Sequence, residues 1–370
     1  MLFQEAPFSA VQRIVSCKFT LLYGCLSTVA EYYDEMYETK KYTHTLRTLP
    51  EGISLNLQDH HPSKIYYVVG ESEWRKHMSI YDYPIQTTPF LDSLYNVYDS
   101  PLTVYQDAFS PASGTRDAFK ILLSFATPQQ MSHFYRYKNI IELASDADYQ
   151  TLWITAQDNL HGGFHDSYAS LVVRMSDIYQ FSAEGDLHLP DIVQEFYQPD
   201  TKQLFFINLS GSHFLYDNFD NIDQEKIPGN GLITDYDRTI HHTDRFMRTL
   251  YKMMEKDTSS VFVYISDHGE YLPLKGHGFL GKGTSQFEVP FLIINHSNIK
   301  SIDSIVNKYY IPEKSKINTM SVTYTVLELM GYSITHDFVE HVQQQSNYIF
   351  HGNGVCYDYD QIELENEKMK

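Results

Sequence analysis

The sequence predicts an α/β fold, a doubly wound and mostly parallel central sheet with helices on both faces. Three observations carry this reading. Short apolar runs, IYYVV at 65–69 and VFVYI at 261–265, are rich in β-branched and aromatic residues and show no polar alternation, which marks strands buried on both faces. Segments of helical periodicity alternate with such runs from residue 64 to 332. Polar residues stand just past the runs, Glu71 after the first and Asp267 and His268 after the second, at the edge where open α/β sheets bind ligands.

Size and charge narrow the classes. A chain of 370 residues with 42 % apolar content supplies a sizeable core. Its 28 Lys and Arg against 47 Asp and Glu give a formal charge of −19, which argues against a nucleic-acid partner, since such binding needs clustered cations. Three cysteines, Cys17, Cys25 and Cys356, permit one bridge or none. No apolar run reaches the ~18 to 20 residues that span a bilayer, and the N-terminus lacks the pattern of a signal peptide.

In chain order, residues 1–60 combine a helical pattern, STVAEYYDEMYETKKY, with a polar stretch, and read as an N-terminal arm packed on a domain of residues 61–370. The run at 65–69 is the first buried strand, closed by Gly70 and Glu71. Turn signals and a short helix follow at 81–94, and LTVYQDAFS at 102–110 reads as a second strand. Thr115 sits at a loop-to-helix junction like an N-cap, ahead of an apolar face of Ala118, Ile121, Leu122 and Phe125. Strands at 148–157 and 202–214 come next, the latter running into Ser212 and His213. A long amphipathic helix at 232–256 places Ile233, Ile240, Met247, Leu250 and Met254 on one stripe. Its Asp237 and Asp244 read as anchors of a hydrogen-bonded face and not as metal ligands. The strand at 259–267, VPFLIIN at 289–295 and a helix at 319–332 complete the alternation.

Glu71, Asp267 and His268 brought to one sheet edge offer oxygen and imidazole ligands to a metal and leave a fourth position. A Thr115 hydroxyl there would be acidified by Zn2+ as a zinc-bound water is, and would become a nucleophile able to form an ester with phosphorus or sulfur. His213 and His277 would contact phosphate or move protons beside it, although each taken singly reads as a loop or surface residue before a catalyst.

These residues lie in motifs that resemble a known family. GES at 70–72, SGT at 113–115, GSH at 211–213, YDRTIHHTD at 236–244, SDHGE at 266–270, GHG, and VP at 289–290 resemble, in order, the catalytic domain of bacterial phosphoethanolamine transferases, within the alkaline phosphatase and sulfatase superfamily. VVGESEWRKHMSIYDYPIQTTP with SGT and GSH is the more specific part. The resemblance implies Glu71, Thr115, Asp267 and His268 as zinc ligands, Thr115 as the carrier of phosphoethanolamine, and His213 and His277 around the head group. It also implies a phosphatidylethanolamine donor, a lipid A or surface-glycan acceptor, and the periplasmic face of the inner membrane. Family members carry membrane helices ahead of this domain; residues 6–42 resemble the linker after them, so the resemblance implies either a membrane portion beyond this chain or a soluble relative. The loop NLHGGFHDSY has His161 and His165 where other members have cysteines, as in the cysteine-poor branch; both read as loop residues that could add metal ligands.

Two alternatives stand beside the transferase. With water as acceptor the same nucleophile makes a phosphodiesterase or phosphatase. An inactive chain would be a binding module for a glycan. Sulfatase chemistry is disfavoured, because SGTRD lacks the C/S-x-P-x-R context of that nucleophile.

Overall fold

All seven residues of strand β1 (Lys64–Gly70) are buried, because the strand lies at the centre of a seven-stranded sheet. The computed structural model describes residues 46–363 apart from 57–60, 159–170, 256, 298, 300–301 and 312–313. The other strands are β2 (Leu102–Val104), β3 (Gln150–Thr155), β4 (Ile178–Phe181), β5 (Gln203–Asn208), β6 (Ser260–Ser266) and β7 (Phe291–Asn295), in the spatial order β2-β7-β6-β1-β5-β3-β4. Side chains alternate between two apolar layers, with Ile65, Tyr67 and Val69 in one and Tyr66 and Val68 in the other. Helices α2 (Thr115–Leu122), α3 (Ile140–Asp146) and α7 (Ser321–Leu329) cover the first layer; α1 (Pro89–Tyr95), α4 (Leu189–Phe196) and α6 (Leu232–Met254) cover the second, beside the short α5 (Asn221–Lys226). Helices on both faces agree with the expected architecture.

The sheet is mixed. Strands β4, β3, β5, β1 and β6 are parallel, but β7 runs antiparallel to β6, and β2 antiparallel to β7. The chain between β6 and β7 is spent on site loops with only one short 3-10 turn at Leu272–Leu274, so no crossover helix carries it back to start a parallel strand. The expected strand at 102–110 divides into β2 and a pair, Ala108–Phe109, that joins Ile317–Asn318 instead. On α6, Ile240, Met247, Leu250 and Met254 are fully buried, whereas Ile233 is 53 % exposed, because the first turn of the helix projects past the layer beneath it.

Asp237 and Asp244 act as hydrogen-bond anchors. Asp237 accepts from His77 Nδ1 at 2.7 Å and Tyr83 Oη at 3.1 Å, and Asp244 accepts from the amides of Phe90 and Leu91 at 2.8 and 3.0 Å, fixing the start of α1. Within the expected arm, Ile53–Leu55 pairs with Tyr332–Ile334. Cys356 is free; Cys17 and Cys25, the helical pattern at 27–42, and His161 and His165 lie outside the described residues.

Phe206 of β5 is fully buried and its ring meets Trp153 at 4.1 Å and Tyr67 at 5.3 Å between centroids. Phe206→Ala is expected to cost about 3–5 kcal/mol, read as a lower denaturant midpoint with the slope unchanged.

Candidate metal centre and active site

Strands β1 and β6 pair in parallel register with Gly70 opposite Ser266, so the residues that follow, Glu71 and Asp267, leave the sheet side by side. Neither carboxylate meets solvent, at 1 % and 0 % exposed, and His268 is equally buried. Asp267 Oδ1 accepts from the amides of Ser72 at 3.0 Å and His268 at 2.7 Å, while its buried Oδ2 has no hydrogen-bond partner among the described residues. His268 Nδ1 lies 2.8 Å from the Gly269 carbonyl, to which it donates, and this turns Nε2 toward the carboxylates, 3.4 Å from Asp267 Oδ2 and 3.5 Å from Glu71 Oε1.

Thr115 completes the cluster from another direction. Its Oγ1 is 3.3 Å from both Glu71 oxygens and 3.1 Å from His268 Nε2. The expected N-cap role does not hold: Gly114 is the cap, Thr115 is the first helical residue, and its hydroxyl points into the carboxylate cluster instead of back to α2. The four residues are therefore brought together, from positions spread between 71 and 268 in the sequence.

The electrostatics of this spot favour a cation. Burial, and then the charge of Glu71, pushes the Asp267 carboxyl up to about 7. Burial works against Glu71 as well, but the hydrogen bond and charge of His268, with His213 and His277 beyond, hold it well below the usual carboxylate range. Burial also opposes charge on His268, yet Asp267, Glu71 and Glu270 together raise it to about 10. Two carboxylates in a dry cleft thus demand a neighbouring positive charge, and a divalent ion would supply it in place of the imidazolium proton. Glu71, Asp267 and His268 hold ligand atoms within 4.8 Å of one another, and the orphaned Asp267 Oδ2 is the kind of atom a metal satisfies. The residues present fit a metal ion.

His277 and His213 lie on either side. The His277 ring is 3.9 Å from that of His268 between centroids, and its Nδ1 is 3.4 Å from Oε2 of the fully buried Glu270; His268, Glu270 and His277 form a second group able to hold a cation. Burial, then the neighbouring His268, lowers the His277 pKa. His213 is exposed, with Nδ1 2.7 Å from the Phe214 carbonyl, and it bears on Glu71 through charge alone. It lines a second cleft of about 500 Å3 with Gln157 and Ser210.

A match to the sulfatase family model over residues 63–332 includes every one of these residues. The chain belongs to the sulfatase family. Among relatives of this sulfatase-family chain, phosphoethanolamine transferase EptC of Escherichia coli O18:K1:H7 is 29 % identical over 232 residues, 56 % of this chain and 40 % of that protein. EptA of Helicobacter pylori is 24 % identical over 315 residues, 78 % of this chain and 56 % of that protein. The chain therefore spans roughly half the length of the curated relatives it matches. The C-terminal periplasmic domain of E. coli EptC, solved in complex with Zn, superposes with a TM-score of 0.70 at 22 % identity, covering 86 % of this chain and 98 % of that one. At that identity the likeness carries the fold. Among the described residues no helix is long and apolar enough to cross a membrane.

Three supporting residues escaped the sequence reading. Gln157 Nε2 donates to Glu71 Oε2 at 3.2 Å and to the Leu209 carbonyl at 2.7 Å, but a lone Gln after a strand carries no pattern. Asp186, fully buried, accepts from the amides of Ser210 and Gly211 at 2.7 and 2.9 Å and fixes the turn before His213. His351, 1 % exposed, accepts from the Gly352 amide at 2.8 Å and lies 3.3 Å from the Ser113 hydroxyl, two residues before Thr115.

Two predictions follow from this geometry. Gly211 has φ +47° and a Cβ there would stand 2.8 Å from the Glu71 amide nitrogen and 2.9 Å from its carbonyl oxygen, so Gly211→Ala should cost at least about 1 kcal/mol, and lower the metal content of the purified protein. Burial lowers the His351 pKa to about 4, so the unfolded chain binds the extra proton first; its contribution is complete above pH 6.5 and is lost as pH falls toward 4. The loss amounts to about 3 kcal/mol, and His351→Gln should flatten the fall in melting temperature across that window.

Proposed function

We propose that this chain is the catalytic part of a zinc-dependent phosphoethanolamine transferase that takes its group from phosphatidylethanolamine and passes it, through an ester on Thr115, to lipid A or a surface glycan at the periplasmic face of the inner membrane. The observation that carries the reading is the Thr115 hydroxyl seated within 3.3 Å of Glu71 and 3.1 Å of His268. Relatives named phosphoethanolamine transferases support the group transferred. Glu71, Asp267, His268 and Thr115 would hold the zinc, which when bound supplies positive charge that acidifies the threonine hydroxyl and offsets phosphate charge.

The residues of the chain divide the remaining work. Glu71, Gln157 and His268 fix the threonine oxygen, and its place at the first position of α2 aims that oxygen and the positive end of the helix at an incoming phosphate. Attack on phosphorus forms the Thr115 Oγ to P bond and breaks the bond to the diacylglycerol oxygen, which leaves as an alcohol after taking up a proton. The acceptor hydroxyl then attacks the phosphorus of the phosphoethanolamine ester, forming its own O–P bond as the Thr115 Oγ–P bond breaks, and loses its proton as Thr115 regains one. His277 is the base for that proton, since burial and His268 disfavour its charged form. His213, exposed at the opposite wall, contacts the head-group phosphate.

Incubation with phosphatidylethanolamine labelled in its head group is expected to leave labelled phosphoethanolamine on Thr115 of the wild-type chain. Thr115→Ala should carry no label and lose transfer activity by at least about a thousandfold. Diester hydrolysis without transfer to any glycolipid would favour a phosphodiesterase, and active protein without label on Thr115 would remove the mechanism.

A further inference from the structure

A cavity of about 700 Å3 is distinct from the metal cleft, with none of Glu71, Thr115, Asp267 and His268 in its wall; Trp74, His77, Leu232, Ile233, Tyr271 and Leu272 form much of it. Its position follows from the site: Trp74 is three residues past Glu71, and Tyr271 three past His268. One hinge joins the two regions, since the Tyr236 hydroxyl accepts from the Trp74 amide at 2.7 Å and donates to the Ser72 carbonyl at 2.7 Å. Most of the wall surface is apolar or aromatic; the Glu288 carboxylate in it is taken up by Trp74, Lys76 and Thr284, while His77 keeps one ring nitrogen open. His77 is 7 % exposed, its Nδ1 is 2.7 Å from the fully buried Asp237, and its ring packs against Trp74 and Tyr83 at 5.0 and 4.6 Å. The Asp237 carboxylate accepts the Nδ1–H hydrogen bond, and in that tautomer of the neutral ring Nε2, bonded to no described residue, is a lone-pair acceptor for whatever enters. Ser285, also on the wall, has a buried hydroxyl with no partner among the described residues. An apolar, aromatic cavity with one oriented acceptor and one spare hydroxyl suits a ligand that brings hydroxyl donors on an apolar frame.

We propose that this cavity binds the sugar end of a glycolipid, with a sugar hydroxyl donating to His77 Nε2 and the ring and adjoining chain lying on Trp74, Tyr271 and the exposed Ile233. That the bound sugar is the acceptor of the transfer rests on the transferase reading above; the binding itself does not. Lys282 at the cavity gives an otherwise acidic surface a cationic group for an anionic substituent on that sugar, whereas Lys76 is paired with Glu288 at 2.9 Å.

The chain has two tryptophans, and Trp153 is fully buried in the other layer, so Trp153→Phe leaves Trp74 as the sole indole and a reporter of the cavity. In that background n-octyl glucoside below its micelle concentration is expected to give a saturable change in emission. The same octyl chain on a short polyethylene glycol should bind at least tenfold more weakly. Ile233→Glu, at a position whose exposure spares the fold, and His77→Phe, which keeps the ring packing, are each expected to weaken glucoside binding about tenfold. Thr115→Ala should bind as its parent does, so loss of the transferase mechanism and loss of this site give different results. No saturable change, equal binding of the two amphiphiles, or an unaltered affinity in Ile233→Glu would overturn the proposal.

Discussion

Two carboxylates and an imidazole are packed out of water at the ends of two neighbouring parallel strands, and their mutual electrostatics is the constraint on which the rest of the structure depends. The register that sets Gly70 opposite Ser266 leaves Glu71 and Asp267 no choice but to share a cleft. Like charges so close and so dry are unfavourable without a positive partner. In the protein alone that partner is His268, raised to about 10 by the surrounding acids. A fold that maintains this arrangement stores a demand for a cation, and the Thr115 hydroxyl, between Glu71 and His268, is placed to share it.

Much of the surrounding structure serves to hold that arrangement still. The turn at 209–213 is locked to the site from both sides, by Asp186 accepting from two of its amides and by Ser212 donating its amide to the Glu71 carbonyl at 2.9 Å. Gly211 allows the two backbones to approach where any Cβ would collide. Behind Glu71, the fully buried Glu73 accepts from Thr243 at 2.7 Å and from the Tyr264 hydroxyl, so burial raises its carboxyl to about 8 without leaving it unpaired. Tyrosine is used in the same way elsewhere: buried hydroxyls of Tyr67, Tyr149 and Tyr332 donate to the carbonyls of Leu122, Pro62 and Leu143, tying loops and helix ends to the sheet. These contacts give the three tyrosines a structural purpose that aromatic packing alone would not.

The segments that leave the metal ligands also build the cavity beyond them. Residues 71–77 begin at Glu71 and end at His77, and residues 268–277 pass the cavity at Tyr271 and Leu272 before returning to the cleft at His277. A ligand in the cavity would therefore rest on the same backbone that carries Glu71 and His268.

The sequence by itself determined the alternation of buried strands and helices, the edge at which the chemistry lies, and the residue types gathered there. It could do so because burial on both faces and the chemistry of Glu, Asp, His and Thr are written locally in composition and spacing. Strand direction was not, since β7 is apolar whichever way it runs, and only the short path from β6 decided that it turns back. The aim of Thr115 was equally invisible: a threonine before a helix looks like a cap until Glu71 and His268, distant in sequence, draw its hydroxyl away. Gln157, Asp186 and His351 gave no local signal, because each reaches the site through a partner distant in sequence, Glu71, Gly211 and Ser113 respectively. Such pairings exist only once the sheet has closed, and they were left for the tertiary structure to decide.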